Sequence, residues 1–302
     1  MKKLFILFFS ILYLMPAKAQ QDPMFSQYLY NMLAFNPAYA GSRDLLSSTL
    51  FYRNQWAGFE GAPVTVNGSV HSPFRNSRGS WGINLMNDRI GIQSQNMINF
   101  NYAYRIPGSR GNYSLGLSGG MYQFSYNYND LQNGQQNDPL FQGNETHRLF
   151  NAGFGAYYQS SKMALGFSVP HLFTSNVFDQ TVYRAVDPKN HMFFTGSYII
   201  PLSNDYRFKP SAMLKYILHA PLQADLNATI IYKNTLYLGI SYRTYQELSI
   251  MAQYQLNKNW WFGYAYDIPF GAVADVSRGS HELFLGFDIS FDKSKMLSPR
   301  YF

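Results

Sequence analysis

Cysteine is absent from this chain. That excludes disulfides, thiolate metal sites and a lipid-modified cysteine at the N-terminus. Long apolar runs are missing as well: no window reaches the roughly 18 consecutive apolar residues that a membrane-spanning helix needs. Charge is sparse, with 24 Lys and Arg against 17 Asp and Glu and a formal net charge of +7. The basic residues form neither a run nor a stripe interleaved with aromatics, so the footprint of a nucleic-acid-binding surface is lacking. Metal spacing is lacking too. The histidines at 71, 147, 171, 191, 219 and 281 contain no close ligand pair. Asp130, Asp138, Asp179 and Asp187 do not follow the acidic rhythm of a calcium loop and read as solvated turn residues.

What the chain does have is aromatic residues: 25 Phe, 25 Tyr and 4 Trp. It opens with Lys2 and Lys3, an apolar stretch from Leu4 to Met15, and the small-x-small triplet Ala17, Lys18, Ala19. This is the pattern of an export signal over 1–19, with the mature chain expected to begin at Gln20. Beyond it, strict two-residue alternation recurs in about fourteen segments, the period at which neighbouring side chains point to opposite faces of a sheet. In the clearest, Leu222, Ala224, Leu226, Ala228, Ile230 and Tyr232 share one parity, while Gln223, Asp225, Asn227, Thr229, Ile231 and Lys233 share the other.

Assigning the apolar parity to lipid places Arg53, Arg105, Arg207, Lys209, Lys215, Asp225, Lys233, Arg243, Glu247, Asp267, Glu282 and Asp288 inside a barrel. A charge at the bilayer midplane of a barrel's lipid face costs roughly 2–4 kcal/mol, so this sorting is what a membrane demands. A soluble sandwich, the competing reading of the composition, would scatter its charges over solvent-facing strands. Connection lengths agree with the membrane reading. The long ones, about 127–147, 170–190 and 269–280, are the fifth, seventh and thirteenth in order, so all lie on one side, as in barrels with short periplasmic turns and long external loops. The fold expected is all-β: a transmembrane antiparallel up-and-down barrel over 45–291, preceded by an N-terminal segment 20–44 and followed by a tail 292–302. The barrel must close, because unpaired strand edges find no water in hydrocarbon. Gly286, Ile289 and Phe291 partly match the terminal signal of outer-membrane barrels. In the N-terminal segment, Asp22-Pro23 reads as a helix start, Met24 to Ala34 as about three helical turns, and Asn36-Pro37 as the turn that ends them. Its apolar residues need cover, which favours packing against protein, as a luminal plug or a docking element.

Several stretches carry a resemblance. Gln21-Asp22-Pro23-Met24-Phe25-Ser26-Gln27-Tyr28 with Asn36-Pro37-Ala38-Tyr39-Ala40-Gly41, then Tyr52-Arg53-Asn54-Gln55-Trp56-Ala57-Gly58-Phe59, Asn87-Asp88-Arg89-Ile90-Gly91, Gly263-Tyr264-Ala265-Tyr266-Asp267 and Gly279-Ser280-His281-Glu282 occur in this order. Together the sequence resembles the PorP/SprF family of the Bacteroidota. The resemblance implies an outer-membrane protein of type IX secretion and gliding. It also implies partners: a secreted surface protein or adhesin bearing a C-terminal sorting domain, and periplasmic components of the secretion apparatus.

Candidate partner-binding residues follow from those stretches: Asn36, Pro37, Tyr39, Gly41, Arg53, Gln55, Trp56, Gly58, His281 and Glu282. The bland reading of Arg53 and Trp56 is a luminal arginine paired with an acid and an interfacial tryptophan. Ser280-His281-Glu282 invites a hydrolase reading, yet in an extended strand Ser280 and Glu282 share a face that His281 does not, so the three form no relay. No cofactor, metal or catalytic residue is expected. The leading expectation is a non-enzymatic anchor for a secreted protein; the alternative is a passive or selective channel for small solutes.

Overall fold

The computed structural model describes residues 23–75, 77–128, 143–176, 190–218, 220–244, 246–290 and 302, with the backbone alone for 173–176. Its strands are β1 Leu46–Asn54, β2 Val64–Pro73, β3 Gly79–Ile90, β4 Gln93–Pro107, β5 Asn112–Asn127, β6 Asn144–Gln159, β7 Met163–Asn176, β8 His191–Tyr198, β9 Ile200–Pro201, β10 Tyr206–Ile217, β11 Gln223–Tyr232, β12 Leu236–Arg243, β13 Glu247–Gln255, β14 Trp260–Pro269 and β15 Ser280–Ile289. Each pairs antiparallel with its neighbours in sequence, except that β8 and β9 do not pair with each other and both lie against β10, and β15 pairs with β1 from Leu46↔Ile289 to Asn54↔His281. The result is a closed barrel of 14 strands plus one short extra strand. β9 keeps the register of β8 against β10 and continues it, after a break at Tyr198 and Ile199, opposite Pro210 and Lys209. Proline has no N–H to give to a ladder.

The ring has two ends. Connections 74–78, 108–111, 160–162, 202–205, 233–235 and 256–259 lie at the turn side, where β1 begins and β15 ends. The opposite, loop side carries 55–63, 270–279 with its short helix α1 Ala272–Val276, and the connections after β5 and β7. Asp130, Asp138, Asp179 and Asp187 fall outside the described residues. The strands run further on the loop side than the alternation implies. β5 continues to Asn127, β6 starts at Asn144 and β7 reaches Asn176, so the long connections are shorter than 127–147 and 170–190.

Parity sorts the faces as expected over most of the barrel. Leu50, Phe100, Tyr102, Leu115, Leu117, Leu226, Leu238, Ile240, Ile250, Phe262 and Leu283 are exposed on the outside, the face that hydrocarbon covers. Arg53, Lys209, Lys215, Asp225, Arg243, Glu247, Asp267, Glu282 and Asp288 are buried inside. Lys233 departs from this. It sits at φ 49 in the β11–β12 turn with a largely exposed side chain, 3.9 Å from Asp205. A turn residue leaves the sheet's alternation, so its parity no longer says which face it takes.

The inward face also carries large apolar side chains: Phe51, Phe193, Met213, Ile231, Tyr237, Met251, Trp261 and Phe284. All of them except Met251 pack in one cluster with the N-terminal segment. On β3–β6 the pattern inverts near the loop side. Met86, Met97, Tyr122 and Leu149 stand in one cross-strand row on the inside, while Asn87, Asn96, Gln123 and Arg148 form the adjacent row outside. Asn87 Nδ2 donates to Asn96 Oδ1 at 2.8 Å, and Arg148 Nε to Gln123 Oε1 at 3.1 Å. A polar row of this kind marks where the wall has left hydrocarbon for water.

Candidate functional site: the filled lumen and its loop-side mouth

Residues 24–43 are almost all buried inside the ring. The regular helix expected from Met24 to Ala34 is not what forms. The backbone makes three 3-10 turns, Tyr28–Tyr30, Met32–Ala34 and Pro37–Tyr39, with Asn31 between the first two leaving the helical region at φ −140, ψ 59. An α-helix suits one apolar stripe and one wet face. Here barrel wall meets the chain on every side, so Phe25, Tyr28, Tyr30, Met32, Leu33 and Phe35 spread around it. Phe25 packs on Phe51, Tyr30 on Tyr237 and Phe284, and Phe35 on Phe193.

The wall anchors this segment at successive heights. Near mid-barrel, Asn31 Nδ2 donates to Asn67 Oδ1 and Ser69 Oγ donates to Asn31 Oδ1 at 2.8 Å, while Asn227 Nδ2 donates to the Tyr28 hydroxyl at 2.9 Å. Lower down, Asn36 donates to the carbonyls of Ala156 at 3.0 Å and Phe167 at 3.3 Å, and accepts from the Ala38 N–H at 2.9 Å. Pro37 supplies the first position of the last 3-10 turn, where a missing N–H costs nothing. The chain there lies on the backbone of Gly116: a Cβ at that position would overlap Ala38 and Pro37. Tyr39 sets its ring edge-on to His71 and Tyr157 and donates to the Phe302 carbonyl at 3.2 Å. Gly41 adopts φ +72, which glycine alone takes freely, and its N–H donates to His71 Nδ1 at 3.1 Å. At the turn-side mouth Arg105 holds both the Gly41 carbonyl and Asp44, and Arg43 pairs with Asp288 at 2.9 Å.

At the other end a buried lattice joins six charges. Arg53 reaches Asp267 at 2.5 Å, Glu282 at 3.1 Å and Glu247 at 3.2 Å. Arg243 holds Asp225 at 3.0 Å and also Glu247. The segment enters the lattice through its backbone. The N–H groups of Ser26 and Gln27 donate to Glu282 at 2.8 and 2.9 Å, Ser26 Oγ donates to Asp267 at 2.7 Å, and Arg243 donates to the Phe25 carbonyl at 3.3 Å. Acids alone would repel one another in this buried space. The guanidinium forks and the backbone N–H groups make it tenable.

The candidate residues thus divide into three places. Asn36, Pro37, Tyr39 and Gly41 lie inside the turn-side half of the lumen, and Arg53 and Glu282 inside the loop-side half; all six are buried. Gln55, Trp56 and Gly58 form the rim. Gln55 N–H donates to the Pro63 carbonyl, Trp56 N–H to Ser280 Oγ, and Ala57 N–H to the Gly279 carbonyl, which ties the first loop to the last. His281 faces outward on β15, where Tyr264 Oη lies 2.7 Å from its Nδ1; Ser280 and Glu282 face inward. Among the described residues no group of three or more His, Asp or Glu is placed to hold a metal ion. The reading from sequence missed Ser26, Gln27, Arg243 and Glu247 as parts of the site. Two opposite charges on inward parity at facing ends of one hairpin, Arg243 and Glu247, were the available signal.

A model of the type IX secretion system membrane protein PorP/SprF matches residues 17–287. The chain belongs to the PorP/SprF family. Its family and its fold together make it a type IX secretion outer-membrane barrel. Among solved structures the CymD monoaromatic hydrocarbon channel superposes with a TM-score of 0.53 at 13% identity, covering 90% of this chain and 94% of that one. A Pseudomonas aeruginosa FadL homologue gives 0.49 at 10% identity, over 88% and 95% of the two chains. The likeness to the CymD channel is one of fold alone. No curated protein matches the chain.

Proposed function

We propose that this PorP/SprF barrel is a closed, non-catalytic holder for a secreted surface protein, an adhesin-type partner with a C-terminal sorting domain. The observation that carries the reading is the filled lumen: residues 24–43 are packed and hydrogen-bonded across the ring from one mouth to the other. A barrel so occupied offers a partner its rim rather than a path. On this reading Gln55, Trp56, Gly58 and His281 belong to the surface a partner meets, with Phe59 exposed beside them. Asn36, Pro37, Tyr39, Gly41, Arg53 and Glu282 act one step back, by holding the segment that keeps the rim in shape. Periplasmic secretion components have the turn-side face available to them, and outer-membrane lipid surrounds the apolar belt. An N-terminal export signal over 1–19, removed after translocation, delivers the chain to that membrane.

The test is surface retention. Trp56→Ser with Phe59→Ser, in a barrel that still shows heat-modifiable migration, is expected to release the cognate protein into the medium; unchanged retention would sink the reading. The channel alternative has its own measurement. Purified protein in a planar bilayer is expected to show no steady open pore, and a persistent single-channel conductance would favour solute transport instead.

A further inference from the structure

The turn-side mouth holds a polar cleft of about 250 Å³ that the end of the luminal segment helps to form. Ser42 and Asp44 make one wall. The others are the β4–β5 and β6–β7 connections with the strand ends beside them. Both connections are tight turns closed by their own backbone, Gly108 N–H on the Gly111 carbonyl and Ser160 N–H on the Met163 carbonyl, each at 2.8 Å. They are also packed on each other: a Cβ added to Gly111 would lie 2.5 Å from the Gln159 carbonyl oxygen. The cleft is therefore shaped before anything enters it.

Its lining keeps much of its hydrogen-bonding capacity unspent. Arg105 is committed, to Asp44 and to the Gly41 carbonyl. Arg110, Asn112 and Gln159 form no side-chain hydrogen bond or ion pair among the described residues. Ser42 is only 8% exposed, and its Oγ has no hydrogen-bond partner. A buried hydroxyl left unpaired carries a desolvation cost that a group bound beside it relieves. Charge narrows the choice of that group. Among the lining residues Arg105 and Arg110 against Asp44 leave one positive charge, and the uncommitted guanidinium fork of Arg110 matches a carboxylate. A doubly charged phosphate would face one free guanidinium and the charge of Asp44, whereas a single carboxylate is balanced. Asn112 and Gln159 each offer a donor and an acceptor, as the amide next to such a carboxylate requires.

We propose that this cleft binds the free carboxyl end of an extended peptide at the periplasmic mouth of the barrel. Arg110 grips the carboxylate, Asn112 and Gln159 pair with the last amide, and the Ser42 hydroxyl completes the shell. The cleft is smaller than the roughly 300–1,000 Å³ of pockets that enclose a drug-sized ligand, so about one or two terminal residues enter and the rest of the peptide stays outside. The periplasmic side follows from the short turns there. The loop-side rim takes no part, so this site stands apart from the proposed holding function.

The probe is the dipeptide acetyl-Ala-Ala, with its C-terminal amide as the uncharged control, titrated against the purified barrel in detergent and followed by saturation-transfer NMR. The expected result is saturable binding of the acid and binding of the amide weaker by about tenfold or more. Arg110→Gln changes an exposed turn residue and is expected to reproduce that loss with the acid, in a barrel that keeps its heat-modifiable migration. Ser42→Ala is expected to weaken the acid by about threefold. Trp56→Ser with Phe59→Ser, at the opposite mouth, is expected to leave it unchanged, so the two readings fail separately. Equal binding of acid and amide, acid binding unaffected by Arg110→Gln, displacement of the acid by inorganic phosphate at lower concentration, or no saturable binding overturns the proposal.

Discussion

Strands β3–β7 and strands β11–β15 are built on the same alternation and end differently. The first group is tall, at 12, 15, 16, 16 and 14 residues; the second is low, at 10, 8, 9, 10 and 10. About 9–11 tilted residues cross a bilayer. The low flank therefore stops where the membrane stops, and its outside stays apolar up to Tyr242 and Ile268. The tall flank goes on, and above the row of Asn87, Asn96, Gln123 and Arg148 its faces exchange character. Inside, the low flank ends in ions and the tall flank in Met97, Tyr122, Phe124 and Leu149. A strand's two faces thus record their surroundings height by height rather than once for the whole strand.

The comparison breaks most visibly at Arg53. Replacing it with Met strands Asp267 and Glu282 without their buried partner, and the loss expected is about 3–5 kcal/mol of folding stability. On the tall flank, Arg148→Ala removes an exposed bond and is expected to change stability by less than about 0.5 kcal/mol. Urea titration of the barrel refolded into liposomes measures both; equal losses would mean that the lattice holds nothing.

A second pair tests where hydrocarbon ends. Leu117 and Ser125 both face outward on β5, below and above the polar row. Leu117→Arg is expected to cost roughly 2–4 kcal/mol and Ser125→Arg close to nothing, because only the first puts a charge at bilayer depth. Similar costs in the same titration would place the whole strand in one environment.

Smaller effects sharpen the division between inside and outside. Gly116→Ala forces a Cβ into Ala38, and the overpacking is expected to cost about 1–3 kcal/mol and to loosen the segment, read as faster proteolysis near Tyr39. Gly119→Ala, on the same strand with open space around it, is expected to leave that cleavage rate unchanged. Asn96→Ala removes one exposed cross-strand bond to Asn87 and is expected to shift stability by about 0.5 kcal/mol or less, at the edge of what the titration resolves.

Much of the fold was legible because the membrane imposes a strict local code. The positions and parity of fourteen strands, the sides on which long connections fall, and the burial of Arg53 with Glu282 all follow from which residues hydrocarbon tolerates. The code fails where hydrocarbon is no longer the neighbour. Phe284 and Ile231 break polar parity because Tyr30 and the rest of the luminal segment lie against that wall, and Lys233 breaks it because a turn has no faces.

The segment 23–44 shows the same limit from the other side. Its sequence announces that it must be buried, and Asn36-Pro37 announces a turn. Neither states that it crosses a lumen, nor that its first residues are held at the loop-side mouth. Alternation is a local property, written in each strand by the solvent on either side of it. The course of the segment depends on Glu282, Asp267, Arg243 and Arg53 meeting at one height. Those residues are far apart in the chain and become neighbours only when β15 closes on β1.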